Sequence, residues 1–268
     1  MKVALFATCL GDVLYRDAVA DAARLLRHLG VEVAVPPDQT CCGQPAFNAG
    51  YAAQARAAAR HTVEVFGEAD HVVLPSGSCA GMIRHHFSTV VPTAFATRVR
   101  RMAERTWELS QFLVHVLNVR SVGQGLDGVT VAYHHGCHAH RLLDLNREPV
   151  GLLEAAGACL LPWSMDRECC GFGGLFSVKL PRVSVAMADA KLDALPGVRP
   201  ELEEDSHDPA LEAPAEHAPT PQFVTSADAG CLLHMESRAR VRGGVLAALP
   251  FVHLATLLWR ATGKAEAA

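Results

Sequence analysis

Cys41-Cys42-Gly43-Gln44-Pro45 and, 128 positions further on, Cys169-Cys170-Gly171-Phe172-Gly173 are two copies of one device. In each copy a single cysteine stands upstream of the pair with 31 residues between, Cys9 in the first and Cys137 in the second. A fourth cysteine follows: Cys79 after 36 intervening residues, Cys231 after 60. An internal repeat of this length means that one structural unit is built twice.

The excess of 24 residues in the second copy has an address. Residues 201–221, Glu-Leu-Glu-Glu-Asp-Ser-His-Asp-Pro-Ala-Leu-Glu-Ala-Pro-Ala-Glu-His-Ala-Pro-Thr-Pro, are acidic, rich in Ala and Pro, and poor in large apolar side chains. Burial there cannot offset the entropy of ordering, so an exposed, mobile insertion is expected. The halves are expected near 1–120 and 128–268.

Around the cysteines the same order of elements recurs. Lys2–Thr8 and Val129–His134 are apolar runs ending just before the first cysteine of each half. Asp17–Leu29 and Arg141–Ala156 have helical spacing; Val31–Val35 and Cys159–Pro162 are short strand candidates; Ala52–Phe66 and Val183–Leu195 are helical again; His71–Pro75 and Gln222–Thr225 are strands before the last cysteine. Alternating strands and helices imply an α/β fold, here two pseudo-symmetric, Rossmann-like repeats with parallel sheets. Each repeated cysteine follows a strand, so four per half converge at the carboxyl ends of the strands, where such sheets bind ligands.

Half of the 268 residues are hydrophobic, enough for one large or two small domains. The net charge is −4, with no basic excess for nucleic acid and no polybasic run for a membrane surface. The apolar start is interrupted by Cys9 and Gly11, too soon for the roughly 7–15-residue core of a secretory signal. Val245–Trp259 is apolar apart from His253, but it contains Pro250 and falls short of the roughly 20 residues a span requires. It reads as a buried strand running into a helix. A cytoplasmic protein with no direct membrane insertion is expected.

There are nine cysteines, an odd number, and no export signal, so a disulfide scaffold is disfavoured and metal or redox chemistry leads. Thiolates suit iron–sulfur clusters, zinc or copper(I). Adjacent cysteines are awkward ligands for one tetrahedral zinc and better suited to a polynuclear cluster, where neighbouring sulfurs reach different irons. The glycine after each pair lets amides approach sulfur. The candidate ligands are Cys9, Cys41, Cys42, Cys79, Cys137, Cys169, Cys170 and Cys231. Cys159 has no counterpart in the first half and is expected to be a small core hydrophobe. His134, His135, His138 and His140 surround Cys137 and are read as surface or strand-end residues, not ligands. Ser76, Ser78 and Ser110 have no visible triad partners, and no Gly-x-Gly-x-x-Gly follows the first strand.

The stretches CLGD (9–12), CCGQPAFNAGY (41–51), PSGSCAG (75–81) and CCGFGGLFSVK (169–179) resemble the tandem cysteine-rich (CCG) domain proteins. That group includes a component of heterodisulfide reductase and the iron–sulfur subunits of glycolate and lactate oxidation. The likeness is greatest to the lactate utilization protein A family and covers nearly the whole chain apart from the insertion and the last few residues. It implies an electron relay in the oxidation of L-lactate to pyruvate, working with two partner subunits, one of them also iron–sulfur. It also implies an iron–sulfur cluster in each half. The fullest form of the motif ends in Cys-x-x-Cys; here Ser76 and Asp228 stand at the first of those places, so the four-cysteine, 4Fe-4S type is the one carried over. The competing readings are a thiol or disulfide oxidoreductase like heterodisulfide reductase and a zinc-stabilised scaffold without redox role.

Overall fold

The structure is a computed structural model and describes residues 1–198 and 219–264. The acidic stretch read as an insertion lies outside the described residues but for its last three positions. Lys2–Leu5 (β1), Glu32–Ala34 (β2), His71–Leu74 (β3) and Thr106–Glu108 (β4) form one sheet, in the order β2-β1-β3-β4. Thr130–Tyr133 (β5), Cys159–Leu160 (β6), Phe223–Ser226 (β7) and Phe251–His253 (β8) form the second, in the order β6-β5-β7-β8. Every pairing is parallel, and the two orders correspond strand for strand. The central strands are nearly continuous apolar runs because helices cover both faces. Val3, Leu5, Val131 and Val224 are all within 1% of full burial.

Helix Arg16–His28 shows how the sequence chooses its inward face. Ala18, Ala22, Leu25 and Leu26 fall on one side and are buried, while Arg24 turns out to pair with Asp21 at 2.7 Å. That inward face meets helix Leu254–Ala261 of the other half, so Leu25, Leu26, Leu254, Leu257 and Leu258 belong to one core shared by both halves. The expected strand-to-helix passage in Val245–Trp259 is this β8 and its helix.

Two expectations are corrected. The helix read over Arg141–Ala156 is two helices, Cys137–Leu143 and Glu148–Ala155. Asp144 between them adopts a left-handed conformation (φ 51°), and Pro149 sits in the first turn of the second helix, where a missing N–H costs nothing. Cys159 is exposed, not a core residue: it begins the short edge strand β6.

Glu108 ends β4 and is almost fully buried. Its carboxylate accepts from the backbone N–H of Ser110 at 2.7 Å and of Gln111 at 3.3 Å, capping the turn that follows. Burial drives the carboxyl from 4.5 up to about 7. An acid held above its unfolded value favours the folded state in full below pH 4.5 and loses that contribution as pH rises to about 7. Glu108→Gln is therefore expected to flatten the stability curve across this window. Relative to the variant, the wild type should lose about 3 kcal/mol, measured by urea unfolding at a series of pH values. Parallel curves for the two proteins would show that Glu108 does not titrate there.

Candidate metal centre

In each half the cysteines leave the carboxyl ends of three neighbouring strands. Cys9 opens helix Cys9–Leu14 after β1, Cys41 and Cys42 lie in the loop after β2, and Cys79 lies in helix Gly77–Gly81 after β3. Cys137, Cys169, Cys170 and Cys231 repeat this after β5, β6 and β7. The glycine after each pair is required by shape. Gly43 (φ 83°) and Gly171 (φ 88°) are left-handed, and a Cβ on them would stand 2.9 Å from Ala58 Cβ and 2.5 Å from the Ser184 carbonyl oxygen. In that turn the Gly43 amide donates to Cys41 Sγ and the Gly171 amide to Cys169 Sγ, both at 3.4 Å.

The thiols of each half form an arc. Cys9 Sγ lies 3.7 Å from Cys41 Sγ, and Cys42 Sγ lies 3.3 Å from Cys79 Sγ, with Cys41 and Cys42 themselves in contact. In the second half Cys137 contacts Cys169, Cys169 contacts Cys170, and Cys170 contacts Cys231. These are free thiols, well beyond the roughly 2.05 Å of a disulfide. Within each arc one member is acidified. Hydrogen bonds from Cys42, Cys9 and the Gly43 amide bring Cys41 down to about 3; those from Cys137, Cys170 and the Gly171 amide bring Cys169 down to about 2. Their neighbours Cys9, Cys42, Cys137 and Cys170 are pushed up, chiefly because each gives its proton to that thiolate. One thiolate among thiols is a donor set that a metal ion would complete by displacing the remaining protons.

The two arcs open into one cavity of about 410 Å³ lined by all eight cysteines. Its closure follows from how the halves meet. Helix Cys9–Leu14 packs on helix Ala229–Arg242, and helix Gly77–Gly81 packs on helix Cys137–Leu143. Gly77 lies so close that a Cβ there would come within 2.3 Å of Ala139 Cβ. Each cysteine-bearing helix of one half thus rests on one of the other.

Ser76 and Asp228, the two places where the fuller motif has further cysteines, bond to each other. Asp228 Oδ1 accepts from Ser76 Oγ and from the Ser78 amide, both at 2.9 Å, and all of it is buried or nearly so. Ser76 Oγ in turn accepts from the Cys79 amide at 3.2 Å, so the second half orients a thiol of the first.

The histidines are distributed unevenly. His138 lines the cavity beside Cys137, with Nδ1 3.6 Å from its sulfur, and His140 faces Asn146. His134 and His135 follow β5 as strand-end residues and are buried rather than on the surface. A ring nitrogen of His134 and the sulfurs of Cys170 and Cys231 lie within 4.8 Å of one another. His134 Nδ1 donates to the Asp166 carbonyl at 3.0 Å, and burial lowers its pKa to about 3, keeping the ring neutral. Spacing gave no sign of this, because the signal is the position of His134 immediately after β5.

The model of the cysteine-rich (CCG) domain matches residues 3–84 and 131–236, one copy in each half. The lactate utilization protein A of Geobacillus kaustophilus is 40% identical over 241 residues, 89% of this chain and 91% of the relative. That of Halalkalibacterium halodurans is 38% identical over 261 residues, 96% of each. This chain belongs to the lactate utilization protein A family of tandem cysteine-rich domain proteins. The lactate utilization protein A of Geobacillus sp. (strain WCH70) is similar to the same degree, 38% over 91% of this chain. The resemblance read from CCGQPAFNAGY and CCGFGGLFSVK is the one the whole chain carries.

Asp228→Ala leaves Ser76 Oγ and the Ser78 amide without their acceptor. It is expected to cost about 3 kcal/mol, at about 1.5 kcal/mol or more for each bond to a charged group, and Asp228→Asn roughly half as much. Urea unfolding of the two variants checks this; unchanged midpoints would show that the bond does not hold the halves together.

Proposed function

We propose that this chain is an iron–sulfur electron-transfer subunit in the oxidation of L-lactate to pyruvate. Cys9, Cys41, Cys42 and Cys79 would hold one 4Fe-4S cluster, and Cys137, Cys169, Cys170 and Cys231 a second. The observation that carries the reading is the pair of thiol arcs at the strand ends, both open to one cavity. Four sulfurs strung along a wall suit a group with several irons better than a single zinc, which needs its four ligands closed tetrahedrally round a point. Adjacent cysteines have different outer neighbours, Cys9 for Cys41 and Cys79 for Cys42. The substrate comes from the names of the relatives, each a lactate utilization protein A.

Bound there, the clusters would supply one-electron transfer. The chain's own residues fix the rest. Thiols release their protons as they take up iron, and the amides of Gly43, Gly171 and Phe172 point at sulfur and favour its anionic form. Taking two electrons and protons from a hydroxy acid needs a two-electron acceptor, which belongs to a partner. The chain therefore works as a relay; the family resemblance implies two other subunits, one of them also iron–sulfur, in the reducing cytoplasm. No helix among the described residues is long and apolar enough to cross a membrane.

Anaerobic purification with iron and sulfide analysis tests the cofactor. Cys42→Ser or Cys170→Ser is expected to remove about half of the iron and visible absorbance, and Cys159→Ser almost none. Equal loss in the Cys159 and Cys170 variants would overturn the ligand assignment, and colourless wild-type protein containing zinc would overturn the cofactor. A strain lacking the chain should fail to grow on L-lactate and still grow on pyruvate. Normal growth on lactate, with no second copy present, would refute the substrate.

A further inference from the structure

The two halves do not surround their cysteines alike. The inward face of helix Ala52–Phe66 is Ala55, Ala59, Thr62 and Val63; that of helix Pro181–Asp193 is Ser184, Ala188, Lys191 and Leu192. The patterns superimpose with Lys191 on Thr62. The contacts of the paired glycines set the same register, since a Cβ on Gly43 would meet Ala58 and one on Gly171 would meet Met187. The strand ends differ as well. Phe6 donates its amide to Val73 and His134 donates its amide to Thr225, the matching positions of β3 and β7. Thus a neutral threonine and a phenylalanine in the first half stand at the positions taken by a lysine and a histidine in the second.

Lys191 is wholly buried. Its ammonium donates to the Met165 carbonyl and lies 4.3 Å from the centre of the Trp163 ring. Among the described residues no carboxylate comes within 4 Å of it; Asp166 on that side faces His135 and Arg167. A buried cation with so little compensation is costly unless an anion stands near. The Trp163 ring under the ammonium packs in one core with Cys170 and Cys231, and His134 beside that ring has a nitrogen within 4.8 Å of both sulfurs. Burial lowers Lys191 to about 8, and the groups that pull the other way are Cys170, Cys231, Asp166 and Cys169. Three of these four are the thiols of the second arc.

On the reading above, we propose that Lys191 is the counter-ion of the metal–thiolate group in the second half, and that the first half has no equivalent charge. A buried positive charge stabilises the reduced, more negative state of the group beside it. The second site then has the higher potential. With both groups bound, an electron would pass from the reduced first-half group to the oxidised second-half group, with no bond made or broken and no proton required. The two halves become an entry site and an exit site, in that order.

The test uses full-length, anaerobically purified protein and redox titration followed by electron paramagnetic resonance. In the Cys42→Ser background, which leaves the second-half group, Lys191→Met should lower the midpoint by a tenfold or larger change in the reduced-to-oxidised ratio, about 59 mV for one electron. Lys191→Arg should restore most of it. In the Cys170→Ser background, which leaves the first-half group, Lys191→Met should change nothing. An unmoved midpoint in the first background, or equal shifts in both, overturns the proposal while leaving the iron–sulfur reading intact. Wild-type protein without iron or sulfide overturns both. If Lys191→Met empties the second site, the arginine variant decides: retained iron supports the counter-ion, and equal loss assigns Lys191 to packing.

Discussion

A parallel sheet sends every loop that leaves a strand's carboxyl end to the same side. Everything at the cysteine sites depends on that constraint applied twice. β1, β2 and β3 deliver Cys9, the pair Cys41-Cys42 and Cys79 to one edge, and β5, β6 and β7 deliver their counterparts to another. Turning the two edges toward each other encloses a cavity that neither half has alone. The shared core under Leu25, Leu26, Leu254 and Leu257 fixes that arrangement from behind, and the Ser76–Asp228 bond fixes it from within.

Much of this was legible because the repeat is written in residues that sheet geometry cannot move. Each first cysteine follows an apolar strand, each pair is followed by a glycine in left-handed conformation, and the strand order matches between halves. What escaped was less apolar. β4 is Thr106-Trp107-Glu108, flanked by Arg105, and carries no alternation or apolar run. Its counterpart β8, Phe251-Val252-His253, is embedded in an apolar stretch and was readable. Setting Glu108-Leu109-Ser110 beside His253-Leu254-Ala255 would have found β4, since Leu74 pairs with Glu108 as Ser226 pairs with His253. Both residues then cap the turn after the strand, Glu108 through its carboxylate and His253 through Nδ1.

Linear spacing says which thiols share a half, but not that two arcs share a cavity. Nor does it reveal partners 152 positions apart. Ser76 and Asp228 read, in sequence, as places where cysteines are missing. In the fold they exchange a hydrogen bond across the boundary, and the Cys79 amide is tied to the same hydroxyl. The two positions form a joint between the halves, tied directly to the backbone that carries Cys79. Cys159 fails in the opposite sense: a cysteine without a counterpart is not thereby a core residue, because the edge strand it begins is only two residues long and open to solvent.

On the proposed reading, a perfect repeat would be a poor relay. Two identical sites in one cavity would have equal affinity for an electron, and transfer between them would have no preferred direction. The fold supplies the identity, through matched strands, matched glycines and matched arcs of sulfur. Direction has to come from positions that leave the backbone alone. Helix faces and strand ends next to the sulfurs are such positions, because a side chain there can change its charge without changing the turn that carries the thiols. Thr62 and Lys191 occupy equivalent inward points of equivalent helices, and Phe6 and His134 equivalent strand ends. The differences between the halves thus gather at places that alter the surroundings of a site while sparing its scaffold, which is where two sites built on one plan can be made to do different work.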